Sequence, residues 1–292
     1  MKEIVVISGK GGTGKTSLTA SLAFLSGNNA VIADCDVDAA DMHLLMSPDF
    51  GYREDFYSGQ VASIDTDICT SCDLCREKCR FDAIDKVNEK YIVRELDCEG
   101  CGYCARICPV EAISMNDQYS GQFFISKSRM DNTLVHARLG IGAENSGKLV
   151  AKVKKEARKI AEEENKDFVI ADGSPGIGCP VISSLSGADF VVIVTEPTVS
   201  GIHDMKRVYE LVKKFDIRVS CIINKYDLNP EITSEIMKFI DSESIIHLGN
   251  IPYSKVFTEA VTKGITIMEN GDKEMAAIVT NSWSKIREYI DD

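Results

Sequence analysis

The chain has 292 residues, with 33 Lys and Arg against 45 Asp and Glu, so its formal net charge is −12. An acidic chain is a poor general binder of nucleic acid, and no stretch is long and apolar enough to predict a membrane span. The length allows one large α/β domain or two smaller ones, and the N-terminus predicts no signal peptide, so we expect a cytoplasmic protein without nucleic-acid or membrane partners.

The first predicted strand, residues 3–8, leads into a glycine-rich loop and a helix predicted from residue 15 to residue 25. The loop fits G-x-x-x-x-G-K-[ST], whose backbone N–H groups and following helix N-terminus suit a polyphosphate. We therefore expect Lys15 to reach the β- and γ-phosphates and Thr16 to bind Mg²⁺. The expected nucleotide-binding residues of this segment are Gly9, Lys10, Gly11, Gly12, Thr13, Gly14, Lys15, Thr16 and Ser17.

The second predicted strand, residues 30–34, ends in a series of carboxylates, Asp34, Asp36, Asp38 and Asp41. A carboxylate just beyond the carboxyl end of a strand lies on the ligand side of a doubly wound sheet. Carboxylates are therefore expected on the ligand side here, and the alternative for Asp38 and Asp41 is a solvated loop or a helix cap.

Eight of the eleven cysteines fall into two runs with the same spacing, C-x2-C-x2-C-x3-C. In a reducing compartment such clustering indicates metal binding rather than disulfides. The spacing is that of bacterial two-cluster ferredoxins, in which the fourth cysteine of each run binds the other cluster. We expect Cys69, Cys72, Cys75 and Cys108 to hold one [4Fe–4S] cluster, and Cys98, Cys101, Cys104 and Cys79 to hold the other. The alternative is a pair of all-cysteine zinc sites, which usually use two C-x2-C pairs.

Residues 60–117 are interpreted as an inserted ferredoxin-like α+β module, with residues 1–59 and 118–292 forming the P-loop domain. Residues 47–58, just before the insert, have the composition of a loop. A shared pattern, Phe-Asp-Ala-Ile at 81–84 and Val-Glu-Ala-Ile at 110–113, indicates internal duplication. Such a small module has little apolar core, so we expect the clusters to stabilise it.

Beyond the insert, the sequence predicts a short strand at 122–126, a charged helix at 148–165, buried strands at 168–172, 190–195 and 218–223, and a helix at 272–292. These repeated strand–helix units predict a doubly wound, mostly parallel sheet. Asp172 ends one strand, and Asn224 begins an N-K-x-D sequence after another, a motif that reads guanine in GTPases.

The second lysine in the loop, Lys10, resembles the deviant Walker A motif of MinD-type and nitrogenase-iron-protein-like ATPases. The whole chain resembles MinD/Mrp-superfamily P-loop ATPases that carry an inserted two-cluster ferredoxin domain. The resemblance implies two subunits facing each other across two nucleotides, with Lys10 of each reaching the partner's phosphates. That role follows the logic of an arginine finger supplied in trans.

The same resemblance implies roles for residues outside the loop. Asp36 would act near the attacking water and Mg²⁺, so the expected catalytic residues are Lys10, Lys15 and Asp36. Asp172 would hold Mg²⁺ through water, and Gly176 would approach the γ-phosphate and move on hydrolysis. Asn224 resembles an adenine contact and Pro252 belongs to a loop near the base, which favours ATP while GTP remains an alternative.

Cys179 lies seven residues after Asp172, where nitrogenase iron protein has a ligand of a cluster shared by two subunits. The loop expected to supply that cluster's other ligand, residues 140–147, has no cysteine here. One interpretation of Cys179 is a small half-buried residue at a helix start. Our hypothesis is that Cys179 faces the dimer interface and lies on a route between the switch II segment and a partner.

Two functions fit these motifs. The first is an ATPase, homodimeric or paired with a paralogous ATPase, that couples nucleotide-driven switch motion to electron transfer towards an unidentified redox partner. The second is an ATP-dependent assembly or carrier protein for iron–sulfur or other metal cofactors. Carriers of the Mrp branch use a C-terminal C-x-x-C pair, which is missing after Cys179. A third interpretation, a ParA-like positioning ATPase with clusters as sensors, is disfavoured by the acidic charge.

Overall fold

The computed structural model describes residues 1–140, 142–143 and 146–291. Within these ranges, no helix combines the length and the apolar composition needed to cross a bilayer. Strands and helices follow one another as β1 (Lys2–Ser8), α1 (Lys15–Ser26), β2 (Ala30–Asp34), α2 (Met42–Met46), β3 (Tyr52–Ile64), α3 (Leu74–Glu77), β4 (Ile84–Val87), β5 (Lys90–Val93), α4 (Tyr103–Ile107), β6 (Ile113–Lys127), β7 (Thr133–Leu139), α5 (Ser146–Glu163), β8 (Phe168–Pro175), α6 (Cys179–Leu185), β9 (Phe190–Thr195), α7 (Val199–Lys213), β10 (Arg218–Asn224), α8 (Pro230–Ser242), β11 (Ile246–Ile251), α9 (Val256–Lys263) and α10 (Lys273–Asp291).

The main sheet has the strand order β11-β10-β9-β1-β8-β2-β7-β6-β3. The pairs from β11 through β1 and β8 to β2, and the β2–β7 pair, are parallel. The order places β8 and β9 on either side of β1, so the chain crosses over between strands by way of helices. This mostly parallel α/β sheet is the doubly wound arrangement that the sequence predicted.

The central strands consist of continuous apolar runs because helices cover both faces of a parallel sheet. Apart from Lys2, every residue of β1 is buried, as is every residue of β2 and β9. Side chains of α1 and α10 pack against these strands in one core, which includes Ile4, Leu22, Ile32, Val192 and Trp283. The sequence placed these strands and α1 correctly because long apolar runs are a strong local signal.

The carboxyl ends of the central strands meet at one edge of the sheet. The register pairs Asp34 of β2 with Asp172 of β8, and Ser8 of β1 with Val194 of β9. The loops that follow these strands therefore lie side by side, and this edge is where a doubly wound sheet binds ligands.

The structure corrects the sequence interpretation around the insert. Residues 52–58, interpreted as loop, belong to the 13-residue strand β3, and the short strand expected at 122–126 is the end of the 15-residue strand β6. Strand β7 was not predicted at all. Most side chains of β3 and many in the first half of β6 are exposed, so these strands lack the apolar alternation on which a sequence prediction depends.

The chain divides into two compact units. The first contains residues 1–54, 123–138 and the described residues from 146 onwards, and the second contains residues 55–122 and a short stretch from residue 139. The boundaries predicted for the insert, 60 and 117, lie inside the second unit, and its role as a ferredoxin-like domain stays a prediction. This unit includes the antiparallel pair β4–β5, in which Asn88 and Glu89 at the turn both have positive φ.

Candidate nucleotide site and cysteine cavities

The glycine-rich loop connects β1 to α1, and two of its glycines are required by close contacts. A Cβ at Gly14, where φ is +90°, would lie 2.5 Å from Asn224 Nδ2, and one at Gly9 would lie 2.6 Å from backbone carbon of Asp204. Gly12 also has a positive φ, whereas Gly11 has open space around its Cα. The loop is thus held against the ends of β10 and α7 as a narrow turn that ends at the N-terminus of α1.

Lys15 and Asp172 form the centre of the site. The Lys15 ammonium lies 2.9 Å from Asp172 Oδ2 and 3.3 Å from Asp36 Oδ2. Thr16 Oγ1 donates to Asp172 Oδ2 at 2.7 Å, and Thr19 Oγ1 lies 2.8 Å from Asp172 Oδ1. Burial lowers the pKa of Lys15, but the charges of Asp172 and Asp36 outweigh burial and leave that pKa raised. The structure therefore brings the predicted phosphate lysine and both predicted Mg²⁺ carboxylates together.

Three carboxylates crowd this site. Burial raises the pKa of the Asp34 carboxyl well above its usual range, and the neighbouring Asp172 charge raises it further, against the opposing effect of Lys15. Burial likewise raises the pKa of Asp36, although Lys15 lowers it in part. The excess of negative charge around one lysine is the electrostatic setting that a divalent cation would relieve.

Hydrogen bonds join the two loops that follow β2 and β8. The Cys35 N–H donates to the Asp172 carbonyl at 2.9 Å, and Ser174 Oγ donates to the Cys35 carbonyl at 2.8 Å. Gly176, with φ +91°, donates its N–H to the Ser8 carbonyl at 2.9 Å. The ends of β2 and β8, with the residues that follow them, are therefore hydrogen-bonded to each other and to the end of β1.

A cavity of about 320 Å³ adjoins the loop on the side of β10. Asn224 Nδ2 donates to the Thr13 carbonyl at 2.7 Å, and Asp227 Oδ1 accepts from the Tyr253 N–H at 2.6 Å. Pro252 itself does not line the cavity. The lining residues are Gly12, Gly14, Ser17, Asn224, Lys225, Tyr253, Ser254, Phe257, Thr258 and Val261. The sequence analysis missed the α9 residues, whose apolar spacing is that of any amphipathic helix.

Lys10 folds back on its own subunit. Its ammonium lies 2.6 Å from Glu196 Oε1 and donates to the hydroxyls of Thr198 and Ser200 at 3.1 and 3.2 Å. The sequence analysis missed Glu196, although it directly follows β9. The rule that singled out Asp34 and Asp172, a carboxylate at the carboxyl end of a strand, applies to it equally.

Cys179 is exposed at the first position of α6. A Cβ at Gly147 would lie 3.2 Å from Cys179 Cβ, so the start of α5 passes close to this cysteine. Residues 141, 144 and 145 of the glycine-rich segment before α5 lie outside the described residues. Cys35 and Cys221 are buried, and burial raises the pKa of both thiols, so they are core residues.

The eight clustered cysteines line two cavities of the second unit. The smaller, of about 20 Å³, is lined by Cys69, Cys72, Cys75 and Cys108, and the larger, of about 530 Å³, by Cys75, Cys79, Cys98, Cys101 and Cys104. The four cysteines expected to hold one cluster line the smaller cavity, and the other four line the larger one together with Cys75. That each group of four holds a cluster stays a prediction. Cys75 borders both cavities, so the two are direct neighbours.

The two cysteine runs also share their backbone turns. Asp73 and Gly102, each one residue after the second cysteine of a run, have φ of 67° and 69°, and α3 and α4 begin directly after them. Asp82 and Glu111, each three residues after the last cysteine, have φ of 50° and 54°. The repeated sequence therefore folds twice into one local shape, which turns the cysteines of each run in the same way.

Among the described residues, no group of three or more His, Cys, Asp or Glu side chains is arranged to hold a single metal ion. The two-cluster assignment and the alternative of two zinc sites therefore both stay predictions. The smaller cavity has room for about one water molecule, so a cluster there would require its side chains to move outwards.

Comparison with known proteins finds similar sequences and a similar fold. The family model described as the CobQ/CobB/MinD/ParA nucleotide binding domain matches residues 4–267. The uncharacterized protein MJ0578 of Methanocaldococcus jannaschii is 35% identical over 230 residues, which cover 78% of this chain and 79% of the relative. A second protein of that organism, MJ0579, is 30% identical over 278 residues, or 93% of each chain.

A solved structure shares the fold. The septum site-determining protein MinD from Pyrococcus horikoshii, complexed with Mg-ADP, superposes with a TM-score of 0.56 at 19% identity, covering 98% of this chain and 95% of that one. The P-loop fold predicted from the sequence is thereby confirmed.

Proposed function

The chain belongs to the CobQ/CobB/MinD/ParA nucleotide-binding family, a group of MinD/ParA-type P-loop ATPases, and we propose that it couples ATP hydrolysis to electron transfer through two [4Fe–4S] clusters. The observation that supports the coupling most is the pair of adjoining cavities lined by eight cysteines in a chain that also has the nucleotide site.

In the nucleotide half of the proposal, Lys15 exchanges its carboxylate partners for the β- and γ-phosphates. Thr16 and Asp172 would hold Mg²⁺, Asp172 through water, and Asp36 would orient the attacking water. The chemistry that Mg²⁺ would supply there is neutralisation of charge on the transferring phosphoryl group. The Mg-ADP complex of the related MinD supports this choice of ligand. We place the base in the cavity beside β10, the base cavity. Asn224 stabilises the wall of this cavity by donating to the Thr13 carbonyl.

In the cysteine half, Cys69, Cys72, Cys75 and Cys108 hold one cluster, and Cys79, Cys98, Cys101 and Cys104 hold the other. Each cluster, once bound, accepts and passes on single electrons. The Ala112 N–H lies 3.3 Å from Cys108 Sγ, a hydrogen bond that would stabilise the reduced state of its cluster. Cys75 lines both cavities and provides a short path between them.

The proposed functional unit is a dimer, either of this chain or with a paralogous ATPase. Two proteins of one organism, MJ0578 and MJ0579, both resemble this chain, which supports a paralogous pair. The electron acceptor is an unidentified redox or metal-cofactor protein. Gly176 and Cys179 are the proposed switch and interface residues through which nucleotide state reaches that partner.

An anaerobic EPR redox titration of the purified protein, with and without MgATP, tests the coupling. We expect two cluster signals whose potential or line shape changes on adding MgATP, and no such change in Lys15→Ala. Cys108→Ala should remove one signal, whereas Cys179→Ser, outside both cavities, should keep both. Two intact clusters whose potential and line shape do not change with MgATP would contradict the coupling. Bound zinc without iron would contradict the presence of the clusters.

One observation favours the second function, that of an assembly or carrier protein. Cys72 and Cys101 are exposed, and exposed ligands make a cluster easier to hand over. Transfer of iron–sulfur clusters from the loaded protein to an apo-ferredoxin, accelerated by MgATP, would support the carrier. Retention of both clusters over the same period supports the electron-transfer proposal.

A further inference from the structure

Glu196 occupies the position between the phosphate loop and the base cavity. The strand order β10-β9-β1 places the end of β9 between the strand that leads into the loop and the strand that leads into Lys225. Glu196 follows β9 directly and is 9% exposed. A carboxylate at this point can reach both neighbouring loops.

Each oxygen of that carboxylate binds a different lysine. Oε1 lies 2.6 Å from Lys10 Nζ, and Oε2 lies 2.8 Å from Lys225 Nζ. Lys225 Nζ also donates to the Gly12 carbonyl at 3.1 Å. Burial by itself would raise the pKa of Glu196, but the hydrogen bonds from the two lysines outweigh burial and lower it. Glu196 is therefore ionised at neutral pH.

Lys10 has all three ammonium protons placed in this arrangement. Glu196, Thr198 and Ser200 supply one acceptor each, and Thr198 is itself fixed because its hydroxyl accepts from the Gly201 N–H at the start of α7. An ammonium can reach a second subunit only after it leaves these acceptors. The charged acceptor is the hardest to leave, since hydrogen bonds to charged groups are the stronger ones.

We propose that Glu196 is a positioning residue that retains Lys10 within its own subunit, and that Lys225 weakens this retention by sharing the carboxylate. The role of the released Lys10 in a partner's site rests on the dimer of the proposed function. The retention itself concerns one subunit. Without Lys225, both oxygens and the whole negative charge would act on Lys10, and the repulsion between the two ammonium groups would disappear.

Two substitutions should change the release of Lys10 in opposite directions. Glu196→Gln keeps the shape of the side chain but removes its charge, so Lys10 should be released more easily. Lys225→Met leaves the carboxylate to Lys10 alone, so Lys10 should be held more firmly. Ser200→Ala removes one neutral acceptor and is the matched control, with a small effect. A merely structural role of Glu196 would not give opposite signs.

The first measurement is acetylation of Lys10 in the nucleotide-free subunit by N-hydroxysuccinimidyl acetate, followed by mass spectrometry and normalised to Lys273. We expect labelling to be about tenfold faster in Glu196→Gln, slower in Lys225→Met and changed less than about twofold in Ser200→Ala. Thermal unfolding of each variant checks that it is folded. Equal labelling of Glu196→Gln and wild type, or faster labelling of Lys225→Met, overturns the proposal.

Sedimentation velocity with MgATP then separates this proposal from the dimer. Association of Glu196→Gln at a lower protein concentration than wild type, and of Lys225→Met at a higher one, would support both the retention of Lys10 and the proposed dimer. If the labelling follows the expected signs but wild type stays monomeric with MgATP, retention by Glu196 is supported and the proposed dimer is wrong. Tighter association of Lys225→Met overturns the sharing of the carboxylate.

Discussion

At the scale of single residues, the site depends on a few side chains that compete for the same partners. Asp172 accepts from Lys15 and Thr16 through one oxygen, and Thr19 lies within hydrogen-bond distance of the other. It is 1% exposed, so each of these contacts is made out of water and is correspondingly strong. In the proposed function, a nucleotide therefore displaces contacts that are already satisfied, and Asp172 exchanges Lys15 for a water molecule on Mg²⁺.

Replacing Asp172 by Asn should reduce ATP turnover about a hundredfold, the loss typical of removing one charged group that acts at a phosphoryl-transfer centre. Steady-state phosphate release at saturating MgATP measures it. Asp38→Asn is the matched control, because Asp38 is exposed and has no part in the Lys15 contacts. Unchanged turnover in Asp172→Asn would show that this carboxylate does not hold the metal.

Asp34 makes stability depend on pH. Its folded-state pKa is raised by burial and by Asp172, so the unfolded chain loses the proton first as the pH rises. The stabilisation from its protonated form is complete below the unfolded pKa, near 3.9, and is lost as the pH rises from there towards the raised folded value. Lys15, Asp36 and Cys35 are the other ionisable groups that face it.

We therefore expect Asp34→Asn to raise the melting temperature at pH 8 by about 3 °C, with a smaller gain at pH 4. Thermal unfolding without nucleotide, followed by circular dichroism at both pH values, measures the difference. A gain that is equal at both pH values would mean that the carboxyl group of Asp34 does not titrate differently in the folded and unfolded states.

At the scale of elements, β7 shows how an unpredicted strand brings a titratable group into the core. His136 is 4% exposed, stacks on Phe124 with ring centroids 4.9 Å apart, and has Nε2 2.9 Å from Ser126 Oγ. Burial, with a smaller contribution from His43, lowers the pKa of His136 to about 4. The ring is therefore neutral at physiological pH.

A lowered pKa of a base predicts loss of stability in acid. The unfolded chain takes up a proton near pH 6.5 and the folded one only near pH 4, so the contribution of His136 is present above pH 6.5 and is lost as the pH falls. The full difference is about 3 kcal/mol. His136→Gln should make the free energy of unfolding fall less steeply between pH 6.5 and pH 4.5, as urea titrations would measure. His203→Gln, at an exposed position, is the control substitution.

At the scale of the whole molecule, the two units differ in what stabilises them. The first has a large apolar core around the central strands. The second buries few apolar side chains, chiefly Ala62, Ala83, Ile84, Tyr91, Ala112 and Ile113. A unit with so little buried apolar surface is expected to depend on the clusters that we propose it holds, as small metal-binding domains depend on their metal.

Removing iron with a chelator under reducing conditions should therefore act on one unit alone. We expect trypsin to cut the chain within residues 55–122 at least tenfold faster after iron removal, while the affinity for MgATP changes less than twofold. Limited proteolysis and isothermal titration calorimetry measure the two effects. Equal resistance with and without iron would show that the second unit is stable by itself.

The sequence alone determined the features that depend on residues close together in the chain. The phosphate loop and the cysteine spacing are short-range patterns, because a polyphosphate needs consecutive backbone N–H groups and a cluster needs thiols a few residues apart. The central strands β1, β2, β8, β9 and β10 were equally visible, since each contains a continuous apolar run. Strand β3 and the first half of β6 were not, because many of their side chains are polar and exposed, and the partly buried β7 was also missed.

Only the tertiary structure decided which side chains meet at the site. Thr16 and Asp172 are 156 residues apart in the chain, and Lys10 and Thr198 are 188 apart. Glu196 binds both Lys10 and Lys225 because β9 pairs with β1 as well as with β10, although seven strands separate β1 from β9 in the sequence. Strand order is fixed by packing of the whole sheet, so no local pattern could show that one carboxylate holds two lysines.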